Sequence, residues 1–122
     1  ATDEEYTISD TGEFVLSRAA LGVDEGLSIP EVFALHQNYP NPFNPITILC
    51  YDLPEQSLVN IIIYDMLGRA VITLVNTTQN AGFKSVIWNA TNDYGKPVSA
   101  GVYLYQIHAG EFVQTKKMVL LK

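Results

Sequence analysis

From Phe33 to its end the chain repeats short runs of alternating apolar and polar residues. Turn signals break these runs about every 8–15 positions, the rhythm of a β-sandwich. Phe33-Ala34-Leu35 alternates as a first strand. Thr47–Leu53 is a second, with Thr47, Leu49, Tyr51 and Leu53 facing the core and Cys50 facing away, until Pro54-Glu55-Gln56-Ser57 stops it. Leu58–Tyr64 is a third, carrying Val59, Ile61 and Ile63 on one face and Leu58, Ile62 and Tyr64 on the other. Because it is apolar on both sides, it is expected to be central.

Asp65-Met66-Leu67-Gly68 has aspartate first and glycine fourth, the preference of a type I turn, and should close a hairpin onto Ala70–Val75. Asn80-Ala81-Gly82 turns the chain into Lys84–Asn89, where Val86 and Trp88 share a face. Thr91–Pro97 is a turn-rich loop. Gly101–His108 places Tyr103, Tyr105 and Ile107 on one face, and Ala109-Gly110 reverses it into a last strand, Phe112–Leu121. The pattern predicts an all-β fold, an Ig-like antiparallel sandwich of about seven strands with no helix.

One segment breaks the alternation. Gln37–Pro45, QNYPNPFNP, packs three prolines, three asparagines and two aromatics into nine residues. Proline fixes φ near −65° and donates no hydrogen bond, and it pushes the residue before it toward extended geometry. Asparagine closes turns locally. The segment is therefore expected to be stiff and extended, a rigid entrance to the domain behind it.

Charge separates residues 1–32 from the rest. They hold eight acids against Arg18 alone, a balance of −7, whereas residues 33–122 hold five acids against six bases, a balance of +1. The leader contains one short β-like run, Glu13-Phe14-Val15-Leu16-Ser17, and then a polar linker, Asp24–Pro30. It is too short to bury a core alone. It either finishes an upstream domain or pairs with a sheet edge, its own or a neighbour's. The chain begins at Ala1 without methionine, as a processed protein or a piece of a longer one would. The two divisions are thus 1–32, leader, and 33–122, sandwich.

The totals remove several functions. A mean hydropathy of +0.11 suits a packed core rather than disorder. No basic stripe exists for nucleic acid, and no apolar run of about 18 residues exists for a membrane helix. Cys50 is the single cysteine, so no intrachain disulfide forms. His36 and His108 have no acid at a suggestive spacing, and no catalytic, P-loop or dinucleotide motif is present. No enzyme, cofactor or metal is expected.

Four weaker candidates remain. Asn89, Asn92 and Asp93 could bring oxygen ligands to calcium, but Asn-Asp-x-Gly is an ordinary turn. Tyr39, Phe43, Trp88, Tyr94, Tyr103 and Tyr105 could stack on sugars, but aromatics are the usual cement of a small sandwich. Of these, only Tyr94 and Phe43 are expected near the surface. Asn76-Thr77-Thr78 and Asn89-Ala90-Thr91 fit the glycosylation acceptor pattern, which matters only in a host that uses it. The ending Thr115–Lys122 carries Lys116, Lys117 and Lys122. Its lysines either protect an exposed edge or form, with Thr115, a terminal address that a receptor reads.

The motifs together resemble a known family. Phe33-x-Leu35-x-Gln37-Asn38-Tyr39-Pro40-Asn41-Pro42-Phe43-Asn44-Pro45 resembles the opening of the C-terminal type A sorting domain of the type IX (Por) secretion system. Ile63-Tyr64-Asp65-x-x-Gly68-Arg69, Ala81-Gly82, Val86-x-Trp88-Asn89, Ser99-x-Gly101-Val102-Tyr103 and Gly110-x-Phe112-x-x-Thr115-Lys116-Lys117-Met118 continue the likeness across residues 33–122. The related Ig-like domain of the flagellar hook-capping protein shares much of the middle without that opening. Ala90 departs from the pattern, standing where the family often has glycine.

The resemblance implies a non-enzymatic signal on a Gram-negative cargo protein. That cargo would pass through the periplasm and be directed by this domain through the outer-membrane translocon and its processing machinery, to be secreted or held at the cell surface. The implied recognition residues are Tyr39, Pro40, Asn41, Pro42, Phe43, Asn44, Pro45, Gly101, Val102, Tyr103, Thr115, Lys116, Lys117 and Lys122. The alternative is a structural or adhesive Ig-like surface module, self-assembling by strand donation from residues 13–17.

Overall fold

A computed structural model describes residues 28–121. The β-like run expected at Glu13–Ser17, the rest of residues 1–27 and Lys122 lie outside the described residues. Seven strands form: β1 (Ala34–Leu35), β2 (Thr47–Leu53), β3 (Ser57–Tyr64), β4 (Ala70–Gln79), β5 (Gly82–Trp88), β6 (Gly101–Ala109) and β7 (Phe112–Leu120). They build two antiparallel sheets, β1-β2-β5 and β4-β3-β6-β7. The fold is an all-β sandwich, with no helix among the described residues.

Period-two alternation produces this core, because successive side chains of a strand point to opposite faces. β2 buries Thr47, Leu49, Tyr51 and Leu53 and turns Ile48 and Cys50 outward. Leu35 and Trp88 complete the inner face of the first sheet. Val59, Ile61, Ile63, Tyr105, Ile107, Met118 and Leu120 form the facing layer. β3 is central in its sheet, paired on one side with β4 and on the other with β6. Its second face is not enclosed, however, and Leu58 is exposed.

The turn at Asp65 forms as its sequence implies, with the Gly68 N–H donating to Asp65 O at 3.0 Å. Asp65 Oδ1 also accepts the Leu67 and Arg69 amides. β4 runs on to Gln79 rather than stopping at Val75, because its polar half Asn76–Gln79 stays paired with Ser57–Asn60. Two register shifts leave Val71 and Leu74 as extra residues in this ladder. Ala90 adopts φ +64°, so the left-handed turn expected of glycine survives with alanine.

Candidate functional site

Three stretches far apart in sequence meet at one end of β7. The Pro/Asn segment leaves β1 and is fastened at once by Tyr105 on β6. The Tyr105 hydroxyl donates to His36 O at 2.7 Å and accepts the Asn38 amide at 2.8 Å. Burial pushes this phenol up to about 12, opposed by the Asn38 hydrogen bond. Asn38 is itself buried. Its Nδ2 donates to Thr47 Oγ1 and to Pro40 O, while Thr47 Oγ1 donates to Pro40 O. The turn is thus closed by a buried amide whose polar atoms all find partners.

Tyr39 then pairs with Ile48 through two backbone bonds, its N–H donating at 3.0 Å and its carbonyl accepting at 2.8 Å. All three X-Pro bonds of the segment are cis. The segment lies along the outer edge of β7. Gln37 Nε2 donates to Lys117 O, Asn41 Oδ1 accepts the Val119 amide, and Phe43 exchanges bonds with Val119 O and the Leu121 amide. Phe43 and Leu120 form a parallel bridge. On the inner edge of β7, Gly101, Val102 and Tyr103 pair with Leu120, Val119 and Met118. The family opening, the Gly-Val-Tyr motif and the last strand form one continuous patch.

This arrangement corrects two expectations. Phe43 was expected near the surface and is 2% exposed, with its ring centroid 5.7 Å from that of Trp88. Tyr39 is instead 77% exposed. The parallel bridge to β7 turns Phe43 inward, and the bridge to Ile48 turns Tyr39 out. Trp88 continues the aromatic contact to Tyr103 at 5.5 Å, edge-on. Trp88 Nε1 donates to Thr91 O, and the Tyr103 hydroxyl donates to Ser99 O. Burial raises the Tyr103 phenol, with Asp65 adding to the shift. Phe43, Trp88, Tyr103 and Tyr105 are all buried, so these four rings are core cement and offer no stacking face to a sugar.

Of the expected recognition residues, Tyr39, Pro40, Asn41, Pro42, Asn44 and Pro45 are exposed, whereas Phe43 and Tyr103 are buried. Gly101 and Val102 are half-buried strand residues. Thr115 and Lys117 are exposed, and Lys116 is half-buried on the opposite face of β7. Thr115 accepts a bond from Gln106 rather than standing free. Sequence reasoning missed Asn38, Thr47 and Tyr105 as the residues that hold the patch. The available signal was a tyrosine at an in-facing position, whose hydroxyl needs a partner when buried.

The remaining chemistry is sparse. In the Asn89–Asp93 loop, Asn92 Oδ1 accepts the Tyr94 and Lys96 amides, Asn89 Oδ1 accepts Thr91 Oγ1, and Asp93 Oδ1 accepts the Thr73 amide. These oxygens serve turns and a strand edge. The described residues contain no group of three or more His, Cys, Asp or Glu able to hold a metal ion. His36 does find an acid, since the β1–β2 register sets its Nε2 2.9 Å from Asp52 Oδ2. Cys50 lies on the same outer face, its thiol raised first by burial and then by Asp52, the opposite of activation.

Residues 49–112, more than half of the chain, match the FlgD Ig-like domain family. The chain belongs to the FlgD Ig-like domain family. Among solved structures, this Ig-like domain is similar to dimeric latent PorU from Porphyromonas gingivalis, at 22% identity and a TM-score of 0.59, over 70% of this chain and 9% of that one. A second similarity is to PorZ, described as an essential bacterial surface component of the type-IX secretion system of the same organism. It has 20% identity and a TM-score of 0.49, over 74% of this chain and 11% of that one. The PorU likeness is one of fold. This chain spans about a tenth of either structure's length. No curated protein matches it.

Proposed function

We propose that this Ig-like domain, residues 33–122, is a non-enzymatic C-terminal sorting signal that directs an attached cargo through the outer membrane by type IX secretion. One observation carries the reading: the Pro/Asn opening is laid along the last strand, with its three prolines, Asn41 and Asn44 facing solvent. The opening and most of β7 lie outside the 49–112 match to the FlgD Ig-like domain family, so that match does not account for them. A rigid exposed patch backed by a strand is a shape that a translocon could read without new ordering cost.

In this reading the partners are the translocon, its processing machinery and the upstream cargo. The destination is the surface or exterior of a Gram-negative cell, and catalysis belongs to the cargo. A fusion of residues 33–122 to a periplasmic reporter tests it. The reporter should reach the surface in a type IX-competent strain and stay periplasmic without the translocon. Periplasmic retention in both strains would sink the proposal. Mass spectrometry of the surface form separates the structural or adhesive alternative: loss of residues 33–122 fits a signal, and retention fits a surface module.

A further inference from the structure

The two sheets expose four edges, and three are shortened, bulged or partly covered. β1 is two residues long. β7 is covered from Lys117 to Leu121 by the Pro/Asn segment. β4 is bulged at Val71 and Leu74, and Asp93 occupies its outer edge by donating its amide to Val71 O and accepting the Thr73 amide. The remainder of β4, Asn76–Gln79, is polar. β5 has none of these protections. Its seven residues pair with β2 in an unbroken register, and among the described residues no further hydrogen bond reaches its backbone. A straight, uncapped edge with apolar side chains is a template for another strand.

We propose that β5 is a self-association edge, where the β5 strands of two copies pair antiparallel about a two-fold axis at Ser85. The sequence Gly82-Phe83-Lys84-Ser85-Val86-Ile87-Trp88 is self-complementary in that register. Phe83 and Ile87 are 63% and 60% exposed on the outer face, and each meets the other across the axis. Lys84 falls opposite Val86. A two-fold at Lys84 would set two lysines face to face, and one at Val86 would leave Phe83 opposite the polar Asn89. Only the Ser85 register pairs both large apolar residues and separates the charges.

A seven-residue edge is about 24 Å long, and with its side chains it buries on the order of 600 Å² in total, well below the ~1,200 Å² of stable complexes. The contact is therefore weak and concentration-dependent.

The test uses the full chain in sedimentation experiments from about 10 μM to about 1 mM, the range in which so small an interface binds. The mass should rise toward a dimer. Ser85 is exposed, so Ser85→Lys and Ser85→Glu should each keep the wild-type melting temperature. Each alone should weaken association by about three- to tenfold, because like charges then oppose across the axis. An equimolar mixture of the two should associate again. A wild-type chain that stays monomeric at the highest concentration, for instance because residues 1–27 occupy the edge, would overturn the proposal. So would a Ser85→Lys chain that associates like the wild type, or a mixture that fails to recover.

Discussion

Tyr105→Phe removes one oxygen from the best-sealed contact of the domain. That oxygen accepts the Asn38 amide and donates to His36 O. Asn38 is 2% exposed, so its N–H is left without water or acceptor, while the carbonyl of the exposed His36 can be rehydrated. One stranded buried donor plus one lost bond costs about 2–3 kcal/mol. With a urea dependence of about 1 kcal/mol/M for a domain of this size, the midpoint should fall by about 2–3 M at unchanged slope. A drop below about 0.5 kcal/mol would refute the clamp.

The same hydroxyl sets an alkaline limb. Its pKa is pushed from 10.0 up to about 12 in the folded chain, so the folded state holds the proton more tightly. That contribution is complete below pH 10 and drains away as the pH rises to about 12, in all on the order of 3 kcal/mol. Tyr51 and Tyr103 shift in the same direction through burial and add to the decline. Tyr105→Phe should therefore start lower and fall less between those two pH values. Parallel alkaline curves for the two proteins would contradict the assignment.

Phe43→Ala empties the space beside Trp88 and should cost about 3–5 kcal/mol with a change in tryptophan fluorescence; a loss under about 1 kcal/mol would place the ring outside the core. Asn41→Ala frees the Val119 amide and should cost about 0.5–1.5 kcal/mol, visible as faster hydrogen exchange at Val119, and unchanged exchange would mean the side chain does not seal the edge. The Asp65 carboxyl is held below its ordinary range, first by the Arg69 amide and then by the Arg69 side chain and the Leu67 amide, against some desolvation. Its contribution is present above the unfolded carboxyl range and is lost as pH falls through the lowered value. Asp65→Asn should flatten the acid limb of the melting curve, and an identical acid limb would refute this.

Most of the sandwich is legible because strand burial repeats with period two. Thr47–Leu53 can be read to the residue, with Cys50 correctly outside, since its alternation is unbroken and turn residues bound it. The second half of β4 is not, because Asn76-Thr77-Thr78-Gln79 has no apolar face and is held by its ladder alone. The Pro/Asn segment has no period at all. Which of Tyr39 and Phe43 faces inward depends on bridges to Ile48 and Leu120, and the second of these lies at the other end of the chain. The His36–Asp52 contact depends on register between two strands and so escapes any spacing rule. The motifs on either side of β7 were visible singly. Their union was not, since β-pairing between distant segments is a property of topology.

The central claim is that the exposed face of the Pro/Asn segment is what the export machinery reads. Tyr39, Pro42 and Asn44 are exposed, and no side-chain hydrogen bond of theirs holds the patch together. The direct measurement is the surface-exposed fraction of a reporter carrying the domain with Tyr39→Ser and Asn44→Ala together, taken beside the melting temperature of the same protein. We predict unchanged melting and export reduced at least about tenfold, as expected when a recognition patch loses its anchors. Wild-type export from the folded double variant would contradict the claim.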